Sequence, residues 1–519
     1  MKKILSKITR FFLGFVLLLI LIITAAILWP LPELPIPEKH NSILIKSINI
    51  IDVNTGNILH NQDILIESNK IKSIGQISSP NPKVDFIIVG REKYAIPGLW
   101  DMHTHSNQLS AWLHHPLYIA NGVTGIRDMS GQLNKKDSYW AGTKERLKWN
   151  NDLDNFTRVT PRHVLQSSYQ MDGPSSVPKG FPNYFRLEHN HDADSLLNFY
   201  KNEKTDFIKV YSQIPAETYK ELAIKAPKYG LHIAGHKPVF VSLKDAILLG
   251  QKSFEHGRIF MYECFPKSDS LRVSNNWKAT FIQSRKSMIN DFDWEACIDL
   301  MKLMTDSKTY WVPTLQTLKF EAYAHKQSFL NNENLKYVSA ARKNLWWGPD
   351  IRVNKERNLS QAGLGISHLF YEAAKKQIKK ANEIGVPIMT GTDVTDSYTF
   401  AGFSIHEELK DLKASGLTNL EALQSSTIVP AKYANLDKDF GTIEENKNAD
   451  LIILEMNPLE DITNTRSISG VICNGVYYSS NRIEELKSFV ESVASSFHMN
   501  VKIVYGLLKS PLMRIQFAD

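Results

Sequence analysis

The chain of 519 residues is poor in cysteine, with only Cys264, Cys297 and Cys473, and none of these forms a CxxC motif. An odd, scattered set of cysteines argues against a disulfide framework and against a thiolate zinc site, so any metal must be held by nitrogen and oxygen ligands. The chain also lacks a block of lysine and arginine interleaved with aromatic residues. Its formal net charge of +7 is diluted over a long chain, and we expect no nucleic-acid partner.

The N-terminus has the pattern of a membrane anchor. An uncharged apolar run, residues 11–29, is about as long as a bilayer core requires and follows four basic residues: Lys2, Lys3, Lys7 and Arg10. This pattern predicts a signal-anchor helix with a cytoplasmic basic end and the rest of the chain on the extracytoplasmic side, periplasmic or extracellular. The alternative is a signal peptide cleaved near Ala25-Ala26, which would make the protein secreted. Prolines complete this first segment, residues 1–41, and predict a stiff spacer.

Short β runs occur near both ends of the chain, in residues 42–95 and 436–481. Neither patch alone is large enough for a stable sheet, and together they predict a small β-sandwich domain built from both chain ends. Between them, in residues 96–435, short apolar runs alternate with helical stretches, which is typical of α/β folds with a parallel sheet. Eight such runs predict a TIM-type (β/α)8 barrel. The eight candidate strands are 96–103, 122–129, 162–169, 206–212, 231–236, 253–256, 310–315 and 387–393.

Two stretches, residues 258–309 and 319–380, are longer than βα connections need, and such insertions usually shape the substrate pocket. The tail, residues 482–519, begins as an amphipathic helix. Its apolar stripe consists of Ile483, Leu486, Phe489, Val490 and Val493. Packing on protein is the default for this stripe, while a second subunit of a homo-oligomer and the bilayer surface stay open.

The strongest local signal is the pair of histidines in His103-Thr104-His105. In an extended strand their side chains point to the same side, so both imidazoles can reach one metal ion. Four further ligand-type residues stand at or near the carboxyl ends of other predicted strands, where barrel active sites lie: Lys209, His236, His256 and Asp393. A lysine within an apolar strand is costly to bury as a cation. Carboxylation would turn it into an anionic ligand that can bridge two metal ions.

These residues resemble the amidohydrolase superfamily, specifically its imidazolonepropionase-related branch, which contains metal-dependent dipeptidases and prolidase-like enzymes. The resemblance runs from about residue 42 to residue 478 and is carried by the segments 97–105, 122–128, 448–454 and 457–462. It implies two divalent metal ions, with Zn²⁺ expected. One ion would be bound by His103, His105 and Asp393, the other by His236 and His256, and carboxylated Lys209 would bridge them together with a hydroxide.

This resemblance implies an enzyme that cleaves an amide (C–N) bond in a small-molecule substrate, with a dipeptide or an N-acyl amino acid as the preferred class. Asp393 would take the proton from the attacking hydroxide and pass it to the leaving nitrogen. Tyr211 shares a face with Lys209 and is a candidate for hydrogen-bonding the substrate. His406, which opens a predicted helix, is a second candidate for the pocket.

Other polar residues near these positions are weaker candidates. Lys237 and Arg258 follow ligands closely and are candidates for binding a carboxylate. Glu255 directly precedes a ligand and is expected to point away from it. The remaining histidines are expected outside the site: His114 and His115 on a helix surface, His189 and His191 in a loop.

Three alternatives remain. A deaminase on the same scaffold usually needs a glutamate a few residues after the histidine of the fifth strand, but His236 is followed by Lys-Pro-Val-Phe; a mononuclear deaminase would not need Lys209 either. A lactonase or phosphotriesterase would use the same two-metal core. A non-catalytic, membrane-tethered binding protein should have lost ligands, and none is lost.

The stretch 166–174 replaces the glycine-rich segment expected of close relatives and leaves the substrate open.

Overall fold

The structure is a computed structural model that describes residues 2–76, 84–133, 137–274, 276–360 and 365–516. Its strands are β1 (Ser42–Ile51), β2 (Ile58–Glu67), β3 (Lys70–Gly75), β4 (Phe86–Val89), β5 (Tyr94–Pro97), β6 (Leu99–Thr104), β7 (Val123–Asp128), β8 (Arg162–Gln166), β9 (Phe207–Val210), β10 (His232–Gly235), β11 (Ser253–Glu255), β12 (Tyr310–Val312), β13 (Leu451–Leu454), β14 (Ile468–Cys473) and β15 (Val476–Ser479).

The helices surround these strands and fill both insertions. They are α1 (Lys2–Leu28), α2 (Ser110–Leu113), α3 (His115–Ala120), α4 (Thr143–Asp154), α5 (Asp192–Asn202), α6 (Ala216–Lys225), α7 (Leu243–Leu248), α8 (Ile259–Glu263), α9 (Ser268–Arg272), α10 (Trp277–Asn290), α11 (Trp294–Asp306), α12 (Leu315–Tyr323), α13 (Gln327–Leu330), α14 (Ala340–Arg342), α15 (Gly348–Ser360), α16 (Ile366–Ile384), α17 (Phe403–Ala414), α18 (Asn419–Gln424), α19 (Ile428–Tyr433), α20 (Ser480–Ser495), α21 (Phe497–Lys509) and α22 (Pro511–Gln516).

Strands from the two chain ends form one eight-stranded sheet. Its order is β15-β14-β13-β5-β1-β2-β3, with β4 also paired to β1. The junction is the antiparallel pair of β13 and β5, in which Ile453 lies opposite Ala95. A buried cluster rich in isoleucine stabilises this sheet, because branched side chains pack well on a pleated surface. The predicted joining of the two ends is thus present, while the sandwich and its domain boundaries stay predictions.

The central strands are parallel and follow chain order. β6, β7 and β8 form one sheet, and β9 to β12 form another. A parallel bridge between Ser167 and Phe207 links the two sheets. Parallel bridges from Trp311 to Ile388 and from Thr104 to Val394 place the segment 388–394 between β12 and β6. This is the strand order of a TIM-type barrel.

The eighth predicted strand, 387–393, makes these bridges without forming a regular strand. Its end is held against β6 by Asp101, which accepts hydrogen bonds from Thr392 Oγ1 at 2.5 Å and Thr392 N at 3.0 Å. Gly391 permits the approach, since a Cβ there would lie 2.8 Å from His103 Cβ. The chain then turns at Asp393, whose φ is 62°. Asp393 consequently lies beside His103.

Helix α1 is long and apolar enough to cross a membrane and is almost wholly exposed. A transmembrane anchor and a signal peptide both fit this helix. The predicted spacer after α1 lies on the domain: Leu31 and Leu34 pack against its core, and Pro32 O accepts a hydrogen bond from Trp112 Nε1 at 3.0 Å. The predicted tail helix is α20, which buries most of its apolar stripe against protein.

Candidate metal centre

Three histidines converge on Asp393 at the carboxyl ends of the barrel strands. Asp393 Oδ1 lies 2.8 Å from His105 Nε2 and 3.3 Å from His103 Nε2. Asp393 Oδ2 lies 3.5 Å from His256 Nδ1. Ligand atoms of His103, His256 and Asp393 all lie within 4.8 Å of one another, as in a group that could hold a metal ion.

His236 and Lys209 complete this group. His236 Nε2 faces His256 Nε2 at 2.9 Å. Lys209 lies on β9 opposite Ala234 of β10, and its side chain is 1% exposed. The ring of Tyr211 lies against that of His236, with centroids 3.8 Å apart and the planes tilted by 35°. The structure therefore gathers at one end of the barrel the residues that the sequence selected from five strand ends.

Three of the imidazoles are oriented by hydrogen-bond partners that contact their Nδ1 atoms. The pairs are His103 with Glu255 Oε2 at 2.9 Å, His236 with Ser212 Oγ at 3.2 Å and His256 with Thr314 Oγ1 at 2.8 Å. Such outer hydrogen bonds fix the tautomer and the ring orientation of metal-binding histidines. In each ring this arrangement leaves Nε2 for the centre of the site.

Burial lowers the pKa of His105, His236 and His256, and it also lowers the pKa of Lys209. Burial, followed by the effect of the Lys209 ammonium, lowers the pKa of His105 to about 4. Burial also lowers the pKa of His256 to about 3 and that of Lys209 to about 8. A neutral imidazole offers the lone pair that a metal needs, and a neutral lysine amine is the form that reacts with carbon dioxide.

The carboxyl group of Asp393 is held as a carboxylate. Burial opposes its ionisation, but the imidazoles of His103, His256 and His105 outweigh burial and hold the pKa of Asp393 well below its usual value. Asp393 and His256 also have positive φ angles of 62° and 72°. Such left-handed conformations of non-glycine residues cluster at functional sites.

A buried ionic network supports the centre from inside the barrel. Arg127 donates to both carboxylate oxygens of Glu255 at 2.8 Å, and both side chains are fully buried. Burial raises the pKa of Glu255, but the Arg127 guanidinium outweighs it and lowers that pKa to about 2. Because this pKa is depressed from the usual 4.5, the stabilisation is complete above about pH 4.5 and is lost as the pH falls towards 2. The sequence predicts that Glu255 points away from His256, the ligand that follows it; its contacts in the structure are with Arg127 and with a different ligand, His103.

We expect Glu255→Gln to weaken both the fold and metal binding. The variant leaves the buried Arg127 uncompensated, which costs about 3–5 kcal/mol in the free energy of unfolding. It also weakens the outer bond of His103, which lowers metal affinity about 10- to 100-fold. Chemical denaturation and metal titration measure the two effects. The matched control is Glu263→Gln, which breaks the buried pair with Lys237 and should lower stability alone; unchanged metal affinity in Glu255→Gln would contradict the supporting role.

The structure does not place His406 in the site, contrary to the sequence prediction. It is buried on α17 with Nδ1 2.9 Å from Thr465 Oγ1 and Nε2 3.2 Å from Asn121 O. Asn121 lies just before β7, at the amino end of the barrel. Both ring nitrogens are therefore engaged at the end opposite the metal centre.

The two candidate carboxylate-binding residues are engaged with acidic partners. Lys237 is buried and pairs with Glu263 at 2.8 Å. Arg258 pairs with Glu321, although its side chain is 40% exposed. Of these two residues, Arg258 is the one that keeps access to solvent, and its guanidinium is already paired with Glu321.

Two further expectations concern histidines outside the site. His115 is fully buried, with Nδ1 2.9 Å from Thr160 Oγ1, so the expected surface position is corrected. Burial likewise lowers the pKa of His114 to about 3. His189 and His191 lie just before α5, and the side chain of His191 is 80% exposed, as expected for a loop.

The residues fit a divalent metal centre on their own geometry. His103 Nε2 is buried with no hydrogen-bond partner among the described residues, although Asp393 Oδ1 lies 3.3 Å away. His236 and His256 direct their Nε2 atoms at each other, an arrangement that a shared cation would stabilise. Imidazole nitrogen and carboxylate oxygen are ligands that Zn²⁺ accepts.

Histidine, lysine and aspartate side chains thus gather at the carboxyl ends of parallel strands in TIM-type order, in a group that could hold a metal ion. The family model described as "Amidohydrolase family" matches residues 340–477. A 5-methylthioadenosine/S-adenosylhomocysteine deaminase of Caldanaerobacter subterraneus is 38% identical over 430 residues, which cover 80% of this chain and 85% of that protein. A 5'-deoxyadenosine deaminase of Methanococcus maripaludis is 22% identical, over 79% of this chain and 88% of its own. The chain belongs to the amidohydrolase family, which confirms the resemblance found in the sequence.

Solved structures with this fold include an amidohydrolase and a dipeptidase. A bottromycin amidohydrolase matches with a TM-score of 0.64 and 20% identity, over 91% of this chain and 93% of its own. A Xaa-Pro dipeptidase matches with a TM-score of 0.60 and 20% identity, over 85% of this chain and 100% of its own. The names deaminase and dipeptidase both denote hydrolysis at carbon–nitrogen bonds, and this chain is an enzyme of that general class.

Proposed function

We propose that this chain is a metal-dependent hydrolase that cleaves the amide bond of a dipeptide or an N-acyl amino acid. The observation that carries the proposal is the position of Lys209, buried among the histidines and Asp393. A lysine here has a chemical purpose as a carbamate, which adds an anionic ligand between two groups of imidazoles. That ligand set suits a two-metal centre.

His103, His105 and Asp393 would hold one cation, His236 and His256 the other, and Lys209 as a carbamate would lie between them. When bound, two divalent cations lower the pKa of a water molecule and polarise the bond under attack. The chain's own contribution begins with orientation: Glu255, Ser212 and Thr314 fix three imidazole rings. The side chains of His105 and His256 are 17% and 18% exposed, so substrate can approach from this end.

Asp393 is the proton carrier of this proposal. Its low pKa keeps it ionised at neutral pH, so it can accept the proton of the attacking water. It then donates that proton to the leaving nitrogen, which departs as a neutral amine. One carboxylate thus acts as base and then as acid.

Tyr211 is the candidate for holding the substrate. Its ring lies against His236 at a centroid distance of 3.8 Å, and burial raises the pKa of its phenol above the usual value. The hydroxyl therefore stays protonated and can donate a hydrogen bond to a carbonyl or carboxylate of the substrate.

We expect Tyr211→Phe to lower kcat/KM about 10- to 100-fold, because one hydrogen bond to the substrate is lost while its ring contact with His236 remains. Metal content should stay at the wild-type level. Steady-state kinetics and metal analysis measure the two effects. A matched control is Tyr219→Phe, since Tyr219 is buried but bonds Gln251 instead. Wild-type kinetics in Tyr211→Phe would remove this residue from the mechanism.

Deamination is the second candidate, and the names of the curated relatives favour it. Against it stands the absence of an acidic residue directly after His236, where Lys237 follows. The nearby Glu263 is held by Lys237 at 2.8 Å and by Arg272 at 3.0 Å, and is not free to act as an acid. The absence of a free acid at this position is the reason that we keep amide hydrolysis as the first proposal.

A paired assay tests the proposal. The purified chain is analysed for metal and is then given a panel of dipeptides and N-acyl amino acids in parallel with adenosine-type nucleosides. We expect close to two equivalents of divalent metal and release of free amino acids from the panel. Release of ammonia from nucleosides alone would establish the deaminase instead. Metal well below one equivalent, with no turnover of either kind, would refute both.

A further inference from the structure

The exposed helix α1 is attached to the tail helix α21. Lys502 of α21 donates a hydrogen bond to the carbonyl of Ile27 near the end of α1, and the two helices pack against each other. An apolar surface of this size is not stable in water and marks a site of contact with a partner or a membrane. The length of α1 matches a bilayer core, and Trp29 at its end is 69% exposed, as is typical of the membrane interface.

α21 is also attached to a loop that borders the metal centre. Ser138, in the loop after β7, donates to Gly506 O of α21 at 3.0 Å. The same loop carries Trp140, whose ring centroid lies 6.2 Å from that of His105. The side of the metal centre that contains His105 is therefore linked through this loop to α21, the helix that holds α1.

A second route leads from α21 to Asp393 through the insertion. Ala341 N on α14 donates to Asn500 Oδ1 of α21 at 2.7 Å. The next residue, Arg342, donates to Thr395 O at 2.7 Å, two residues beyond Asp393. Both routes end at segments that follow barrel strands, so the C-terminal end of α1 is connected through α21 to the open end of the barrel.

The free face of α21 is apolar. Four residues at helical spacing form it: Phe497, Val501, Tyr505 and Leu508. Phe497 is 60% and Leu508 70% exposed, while the opposite face of the helix is buried. Lys509 at the end donates to Tyr505 Oη at 2.8 Å. An apolar stripe with a basic end is typical of a helix lying in a membrane interface, and α21 also packs against α1.

We propose that the metal centre opens towards the bilayer surface and that its substrate is an amphipathic amide, namely a long-chain N-acyl amino acid. This rests on the proposed amide hydrolysis and on α1 remaining in the chain. The acyl chain of such a molecule dissolves in the bilayer while its carboxylate stays at the surface. The amide bond, which joins these two parts, then lies near the bilayer surface.

The substrate class is tested with the full chain in lipid vesicles. N-acetyl and N-palmitoyl derivatives of one amino acid are compared, and the long-chain substrate is diluted with inert lipid at constant bulk concentration. We expect kcat/KM about 10-fold or more higher for the N-palmitoyl compound, and a rate that falls on dilution. Leu508→Lys should lower only the long-chain rate, whereas Leu248→Lys, at a 62% exposed leucine of α7, should change neither. Equal rates for both substrates, with no effect of inert lipid, would overturn the inference while leaving amide hydrolysis intact.

The orientation has a test that needs no activity. A nitroxide attached at Leu508→Cys is compared with one at Leu248→Cys, since the three native cysteines are free and buried. We expect the label at 508 to collide with oxygen in the lipid and the label at 248 with a water-soluble nickel complex. A label at 508 in water, or a mature chain without α1, would overturn the inference. A lipid-exposed label at 508 in a chain that hydrolyses no amide would refute the proposed function and leave the orientation standing.

Discussion

Lys209→Ala is expected to lose bound metal and activity together, with kcat/KM falling on the order of 10³-fold. In the proposed centre the lysine is present as a carbamate, formed when its neutral amine adds carbon dioxide and releases one proton. The environment favours this reaction, because burial lowers the pKa of Lys209 to about 8 and so makes the neutral amine accessible near neutral pH. Removal of the side chain would leave the imidazoles without their shared anionic partner.

Three measurements distinguish this role from a structural one. Metal analysis should show the loss of metal, and a short carboxylate such as propionate should restore part of the activity by occupying the vacated space. Wild-type protein grown with ¹³C-bicarbonate should show a carbamate carbon signal that the variant lacks. Lys252→Ala is the matched control, since Lys252 stands just before β11 and donates to Tyr433 O at 2.7 Å. Unchanged activity in Lys209→Ala would refute the bridging carbamate.

The sequence predicted the ligand-type residues because barrel topology brings the carboxyl ends of all strands to one face. His103, Lys209 and His236 each stand at or beside a strand end, and chain order alone places them on that face. The same reasoning predicted the joining of the two chain ends, since neither patch could form a stable sheet by itself.

The contact of Glu255 with His103 was not predicted, because strand alternation was extended one residue too far. Successive side chains point to opposite sides only in an extended backbone. His256 has a φ of 72°, so the chain leaves the extended conformation at that residue. As a result His256 reaches Asp393 while Glu255 binds His103. A positive φ at a histidine has no clear signature in a single sequence.

The predictions for His406 and His115 failed for a different reason. Local pattern shows that a residue lies on a helix, but the depth at which it is buried depends on elements distant in sequence. His406 is covered by Thr465, 59 residues away, and His115 by Thr160, 45 residues away. The long-range partners that orient the ligands, such as Thr314 for His256 at a separation of 58 residues, were missed for the same reason.

Asp393→Asn is expected to lower kcat on the order of 10³-fold while the protein stays folded. The amide keeps the shape of the side chain and an oxygen for a metal ion, but it cannot accept the proton of the attacking water. The strain at this position is already present in the wild-type backbone, so the substitution adds little to it. We therefore expect a change in kcat that is much larger than the change in metal content or in KM.

The pH dependence separates this role from that of a ligand alone. Because the pKa of Asp393 is held well below its usual value, the wild-type carboxylate should stay ionised across the neutral and mildly acidic range, and activity should not fall with its protonation there. The matched control is Asp101→Asn: Asp101 is also buried, but it bonds Thr392, and burial raises its pKa to about 7. Replacement of this carboxyl group, which lies outside the metal-binding group, should leave kcat within about 10-fold of wild type. If Asp393→Asn kept full metal and wild-type kcat, the proton transfer would belong to another residue. If both variants lost kcat equally, Asp393 would act through the packing of the turn in which it lies.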